Sequence, residues 1–288
     1  MDGAVIRNRN TMKKILFIAD YFKNELNGGG ESNDNNLINH LSKNNLVLKT
    51  KANSVSLSKI DKADFIIVGN FVTMAEGVKK YLATKKKYII YEHDHKYVKT
   101  RDPSRFTNFD IPIEQIVNEE FYNSARCVVV LSKICKEIMQ SNLKNTKVHN
   151  IGCSLWSQET LKFLKQNASK KKNKTLCIMN SNNPTKNYLK TIEYCRNKNL
   201  DFEAIQSQNH IRFLEKMSNY KSFLFIPTVL ETFSRVCAEA KMLNLNVMTN
   251  KKKIGFFSEE YSKLSGLKLI NEIETKNKKA LEFFESLI

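Results

Sequence analysis

Short, unbroken apolar runs recur along this chain: Lys14-Ile15-Leu16-Phe17-Ile18-Ala19, Phe65-Ile66-Ile67-Val68, Tyr88-Ile89-Ile90-Tyr91 and Cys127-Val128-Val129-Val130-Leu131. Runs of this length without polar alternation suit strands that are covered on both faces, and therefore parallel strands. Stretches of helical character around 72–84, 113–125 and 133–141 separate them. Strands that alternate with helices predict a parallel, doubly wound sheet.

After "KVHNIGCSLW" the pattern restarts with a lysine-rich loop and a strand at Thr175-Leu176-Cys177-Ile178-Met179. A helix near 186–197 follows, then strands near 202–205, 222–226 and 246–249, and a terminal helix over 272–287. The expectation is an α/β protein of two Rossmann-like domains facing a cleft. Residues 1–153 form the first domain and 154–288 the second, and clefts of this kind commonly hold the ligand.

The 288 residues suffice for two domains of ordinary size. No apolar run approaches the length of a membrane span, and Met1 to Met12 lacks the apolar segment of a secretory signal. The expected location is the cytoplasm, at most peripheral to a membrane. Six scattered cysteines without a C-x-x-C pair read as reduced, buried thiols. The net charge is +18, and only eight of the 47 basic residues are arginine. Abundant lysine with abundant asparagine is what AT-rich coding produces, yet such a surplus also attracts polyanions. Lysines cluster at Lys79-Lys80, Lys85-Lys86-Lys87, Lys170-Lys171-Lys172 and Lys251-Lys252-Lys253. DNA or an anionic membrane surface is therefore a candidate partner.

Three turns and one helix carry candidate chemistry. In "PTVLETFSRVCAEAKML" a strand runs into a helix, with Glu231 before it and Glu239 three residues after Val236, within the apolar stripe. A carboxylate there is costly unless hydrogen-bonded, and hydroxyls of a bound sugar or ribose would satisfy it. In "ELNGGGES", Gly28, Gly29 and Gly30 precede a helix start, where backbone amides favour an anion. It is not G-x-G-x-x-G, so no dinucleotide site is expected. "YIIYEHDHKY" crowds Glu92, His93, Asp94 and His95 at a strand end. Alternation would send His93 and His95 to one side and Glu92 and Asp94 to the other, against a shared metal. "MNSNNPTKNYLK" sets Lys186 near a helix start, where a point charge suits a diphosphate.

Together these features resemble the retaining GT-B-type glycosyltransferases of family four. The resemblance rests on Gly29-Gly30 with Glu31, on His93-Asp94, on Lys186 and on the Glu-x7-Glu of "ETFSRVCAEA", in the right order over nearly the whole chain. It implies a nucleotide-sugar donor, such as a UDP- or GDP-sugar, lying mostly on the second domain, with no cofactor and no metal. Glu239 would bind the ribose and Glu231 the donor sugar. The backbone of Thr232, Phe233 and Ser234 would steady the diphosphate with Lys186, Gly29 and Gly30. His93 would stand near the transferred sugar, with Asp94 beside it on the substrate. Catalysis would rest on stabilising the departing diphosphate and on positioning. Asn180 and Ser181 stand where the family usually has an arginine, so Arg235 or a nearby lysine would substitute. The acceptor expected is a saccharide or lipid-linked saccharide. The alternatives are a glycosyltransferase acting on hydroxymethylated DNA bases, a non-catalytic basic binding module of the same fold, and a metal-dependent transferase using Glu92-His93-Asp94.

Overall fold

The computed structural model describes residues 12–85 and 87–288; the reading of residues 1–11 and of Lys86 in its lysine cluster lies outside them. Two parallel sheets follow one another along the chain. The first holds β1 (Lys14–Ala19), β2 (Leu46–Lys51), β3 (Phe65–Val68), β4 (Tyr88–Tyr91), β5 (Cys127–Val130) and β6 (Val148–Asn150), in the order β2-β1-β3-β4-β5-β6. Its crossovers contain α1 (Gly29–Leu41), α2 (Leu57–Asp61), α3 (Glu76–Lys85), α4 (Glu119–Ser124) and α5 (Lys133–Asn142). After α6 (Gln158–Asn167), the second sheet holds β7 (Lys174–Met179), β8 (Glu203–Ile205), β9 (Tyr220–Leu224) and β10 (Asn246–Met248), in the order β10-β9-β7-β8. It is accompanied by α7 (Tyr188–Asn197), α8 (His210–Met217) and α9 (Arg235–Met242). The last helix is α10 (Gly266–Leu287).

The apolar runs become the central strands for the reason their composition implies. In β3, β4 and β5 every residue is buried. Successive side chains alternate between the two faces. Phe17, Ile67, Ile89 and Val129 enter a core shared with α1, whereas Leu16, Ile66, Ile90 and Val128 enter another with Leu82 of α3 and Ile138 of α5. The first of these cores continues without interruption into the second half, taking in Phe223 of β9, Ala240 of α9 and Ile273 of α10.

One helix spans both halves. Leu269, Ile270 and Ile273 are buried at its start, and Phe284 near its end meets the Tyr91 ring edge-on at 4.9 Å. At about 1.5 Å per residue its 22 residues reach about 33 Å. The helix begins at Gly266, earlier than the expected 272. The stretch expected as helix over 113–125 is helical mainly at its end, in α4, because Pro112 and the left-handed Asn118 (φ 58°) break it.

Candidate active site

The three turns and the helix read from the sequence meet: Thr232 bonds the His93 carbonyl, Lys186 bonds Glu231, and Arg235 of α9 lies against Gly29. After β9 the chain is pinned in an extended form: the Glu231 N–H donates to the Lys253 carbonyl (2.9 Å) and the Gly255 N–H to the Glu231 carbonyl (2.9 Å). Gly255 is required there, since a Cβ would stand 2.6 Å from the Thr232 carbonyl carbon. Ser234 then turns left-handed (φ 66°, ψ 80°) to start α9.

Lys186 closes a short 3-10 turn, Pro184–Lys186, and its Nζ donates to Glu231 Oε1 at 2.7 Å. The two turns are stitched together by Thr228 N–H to the Thr185 carbonyl (3.0 Å) and Asn187 Nδ2 to the Ile226 carbonyl (2.9 Å). Lys186 and Glu231 pair with each other and are part-exposed, at 27% and 12% of their side chains, so a ligand can reach the pair.

Glu239 sits on the core side of α9 and is 2% exposed. Its Oε1 accepts from Trp156 Nε1 (2.8 Å) and lies 3.1 Å from His210 Nε2 and 3.5 Å from Arg235 Nη2. Burial works against its ionisation, but His210, Arg235 and Trp156 together hold its pKa below the ordinary value. The carboxylate expected to await ribose hydroxyls is thus already ionised and held by protein groups on Oε1. Arg235 is part-buried, its side chain 11% exposed. It stacks over Trp156 (4.8 Å to the ring), donates to the Leu155 carbonyl and lies 3.3 Å from Asn33 Oδ1. Its Cδ would be 3.6 Å from a Cβ at Gly29, which places the cation against the glycine turn.

From the first half, Gly29 and Gly30 open α1, with Gly28 as its extended cap. The Glu31 carboxylate folds back over Gly28, and burial raises its pKa while its own N–H and nearby His93 act against the rise. His93 follows β4. Its Nε2 is 2.7 Å from Asp34 Oδ1 on α1, and its carbonyl accepts from Thr232 Oγ1 at 2.9 Å, joining the two halves.

The expected alternation at 92–95 fails because β4 ends at Tyr91. His95 is left-handed (φ 57°) and buried, with its ring nitrogens against Tyr97 OH (3.3 Å) and Cys135 Sγ (3.8 Å). Glu92 and Asp94 instead share the buried Lys96, at 2.5 and 3.0 Å. Asp94 also pairs with Arg101 at 3.0 Å, so its charge is spent on the protein. No group of three His, Cys, Asp or Glu able to hold a metal is found among the described residues.

Sequence reading placed Lys186 with Glu231, Thr232-Phe233-Ser234 with Glu239, and Gly29-Gly30 near His93. The geometry brings all of these to one junction and sets Asp94 aside. It adds Asp34, Trp156 and His210. Asp34 lies four residues after Gly30 and so faces the same way on α1. Nothing local in the sequence singles out Trp156 or His210, which arrive from distant elements.

No family model and no curated protein matches the sequence. Solved structures do resemble the fold. The catalytic domain of starch synthase IV from Arabidopsis thaliana, bound to ADP and acarbose, superposes with a TM-score of 0.54 at 8% identity, covering 96% of this chain and 99% of that one. A glycosyltransferase from Rickettsia africae gives 0.51 at 12%, covering 96% and 98%. An alpha-glucosyltransferase in complex with UDP-glucose and DNA containing an abasic site gives 0.50 at 10%, covering 96% and 92%. What the chain has in common with these enzymes is architecture: two Rossmann-like α/β halves with the GT-B fold.

Proposed function

We propose that the protein transfers a sugar from a nucleotide-sugar donor, without a metal and with retention, to a saccharide or lipid-linked saccharide hydroxyl. The observation that carries this reading is the junction itself. A part-exposed Lys186–Glu231 pair, the amino end of α9 and the glycine start of α1 converge within one cleft, beside an ionised Glu239. Cations and helix amino ends favour a diphosphate, and carboxylates favour sugar hydroxyls. Starch synthase IV and the alpha-glucosyltransferase were each seen with a nucleotide or nucleotide sugar, in keeping with such a ligand.

On this reading Glu231 and His93 meet the transferred sugar. Glu239 reaches the ribose, and Lys186 with the backbone of Gly29, Gly30, Thr232, Phe233 and Ser234 holds the diphosphate. Arg235, part-buried beside Gly29, supplies the further cation. Asp94 serves the substrate only by way of Lys96. The boundary between donor and acceptor domains is taken near residue 153. A cytoplasmic location fits the reading, and no helix among the described residues is long and apolar enough to cross a membrane.

The test is turnover of UDP-, GDP- and ADP-sugars with and without chelator, with the product anomer read by proton NMR. Activity that persists in chelator with a retained anomer is expected. Activity that vanishes and returns with manganese overturns the mechanism.

The +18 charge favours one other acceptor, a hydroxymethylated DNA base. Binding duplex DNA through several phosphates would weaken with salt at a log–log slope of about −0.9 per contact. Sugar transfer to such DNA would displace the saccharide acceptor. Steep salt dependence without transfer would mean non-specific charge.

A further inference from the structure

His93 and Asp34 form a buried pair whose geometry is specified more tightly than packing requires. Their side chains are 4% and 2% exposed, and Nε2 lies 2.7 Å from Oδ1. Two glycines make room for it. A Cβ at Gly69 would stand 2.7 Å from Asp34 Oδ2, and one at Gly30 would stand 3.4 Å from Cγ and Cδ2 of the imidazole. The Tyr91 ring closes on His93 edge-on at 4.3 Å. The other ring nitrogen, Nδ1, is buried and has no hydrogen-bond partner among the described residues.

Facing the carboxylate at 2.7 Å, Nε2 carries a proton and donates its hydrogen bond to Asp34 Oδ1. A second proton on Nδ1 would be a buried donor with nothing to receive it, which is rarer and costlier in proteins than an acceptor left short of a donor. We infer that Asp34 is a positioning residue: it holds His93 as the Nε2–H tautomer, so that Nδ1 presents a lone pair to a hydroxyl of the bound sugar. This rests on the sugar-transfer reading above. The nitrogen then accepts from hydroxyls and selects against groups that can only accept, such as phosphate oxygens. A carboxylate that orients an imidazole in this way leaves the ring nothing to rearrange when substrate arrives.

Nitrogen-15 NMR of the histidine side chains tests the inference in the ligand-free protein. His93 is expected with Nε2 protonated and Nδ1 bare, and Nδ1 is expected to shift when a turned-over donor is added. In Asp34→Asn, which keeps the shape, the tautomer preference weakens. The donor kcat/KM falls by at least roughly tenfold, mostly through a higher KM, because the hydroxyl contact is already made to the bound sugar. A ring protonated at Nδ1 or at both nitrogens overturns the inference, as does an Asp34→Asn enzyme with unchanged donor kcat/KM. The wild-type spectrum decides the tautomer should Asp34→Asn fail to fold. Absence of turnover with every nucleotide sugar removes the transfer reading together with the hydroxyl role. An Nδ1-protonated ring in an enzyme that does transfer sugar removes the pair's role alone.

Discussion

The two glutamates that frame the α9 turn differ in what their removal does. Glu231 is held by Lys186 alone near the surface, so Glu231→Ala should cost little stability while cutting transfer. Losing a hydrogen bond to a charged group costs about 1.5–3 kcal/mol of substrate binding. Glu239 is buried against Arg235, His210 and Trp156. Glu239→Ala leaves Trp156 Nε1 without its acceptor and removes the carboxylate from the part-buried Arg235, and should destabilise by about 1–3 kcal/mol. Only Glu231→Ala should therefore spare stability; paired thermal melts and single-turnover rates check both. Ser234 carries a different cost. Its φ of 66° suits glycine, and its hydroxyl is buried with no partner among the described residues. Ser234→Gly should raise stability by about 0.5–1 kcal/mol, since relief of the left-handed strain outweighs the added freedom of the unfolded chain. A lower melting temperature in Ser234→Gly would show that the seryl conformation is not strained.

At the level of elements, loops fasten the ends of strands and helices across the two halves. The amino end of α5 receives its cap from far along the chain: Glu259 Oε1 accepts from the Lys133 N–H (2.6 Å) and from Asn150 Nδ2 (3.1 Å). Glu259→Ala should cost about 1–2 kcal/mol in chemical denaturation, the usual loss for a cap. Beyond β4, burial opposes the ionisation of Glu92, but Lys96 and the Tyr122 hydroxyl outweigh it and hold the pKa at about 2. A folded value below the unfolded 4.5 means this contribution is complete above about pH 4.5 and is lost as pH falls toward 2. Glu92→Gln should flatten the acid limb of the stability curve between those values. An unchanged limb would show that the Lys96 pair does not govern it. Among these elements β3, β4 and β5 were legible, because strands buried on both faces are apolar throughout. β2 was not, since an edge strand exposes Leu46, Leu48 and Lys49 and carries no periodic signal.

For the whole molecule, α10 is the tie. It contacts α1, α6 and α9 and reaches the first sheet through Phe284. Phe284→Ala should destabilise by about 3–5 kcal/mol, the range for a fully buried ring. Both halves should melt together, because a single apolar core runs through them. Two separate transitions in calorimetry of the variant would mean that the shared core couples them less than its continuity implies.

The composition of short segments determined the alternation of strand and helix, the two successive sheets, and the placing of His93, Lys186 and Glu231 in turns after strands, Gly29 at a helix start and Glu239 on a helix face. Those properties depend on neighbours in sequence: period, apolar length, glycine and the position of a carboxylate on a helix face. Which side chains the candidate groups meet was decided only by the tertiary structure. Asp34 beside His93, His210 and Trp156 on Glu239, and Lys96 between Glu92 and Asp94 all depend on where strands stop and how crossovers return. Contacts between elements 59 to 83 residues apart, such as Asp34–His93 and Trp156–Glu239, follow from the packing of whole sheets and leave no trace in either local segment.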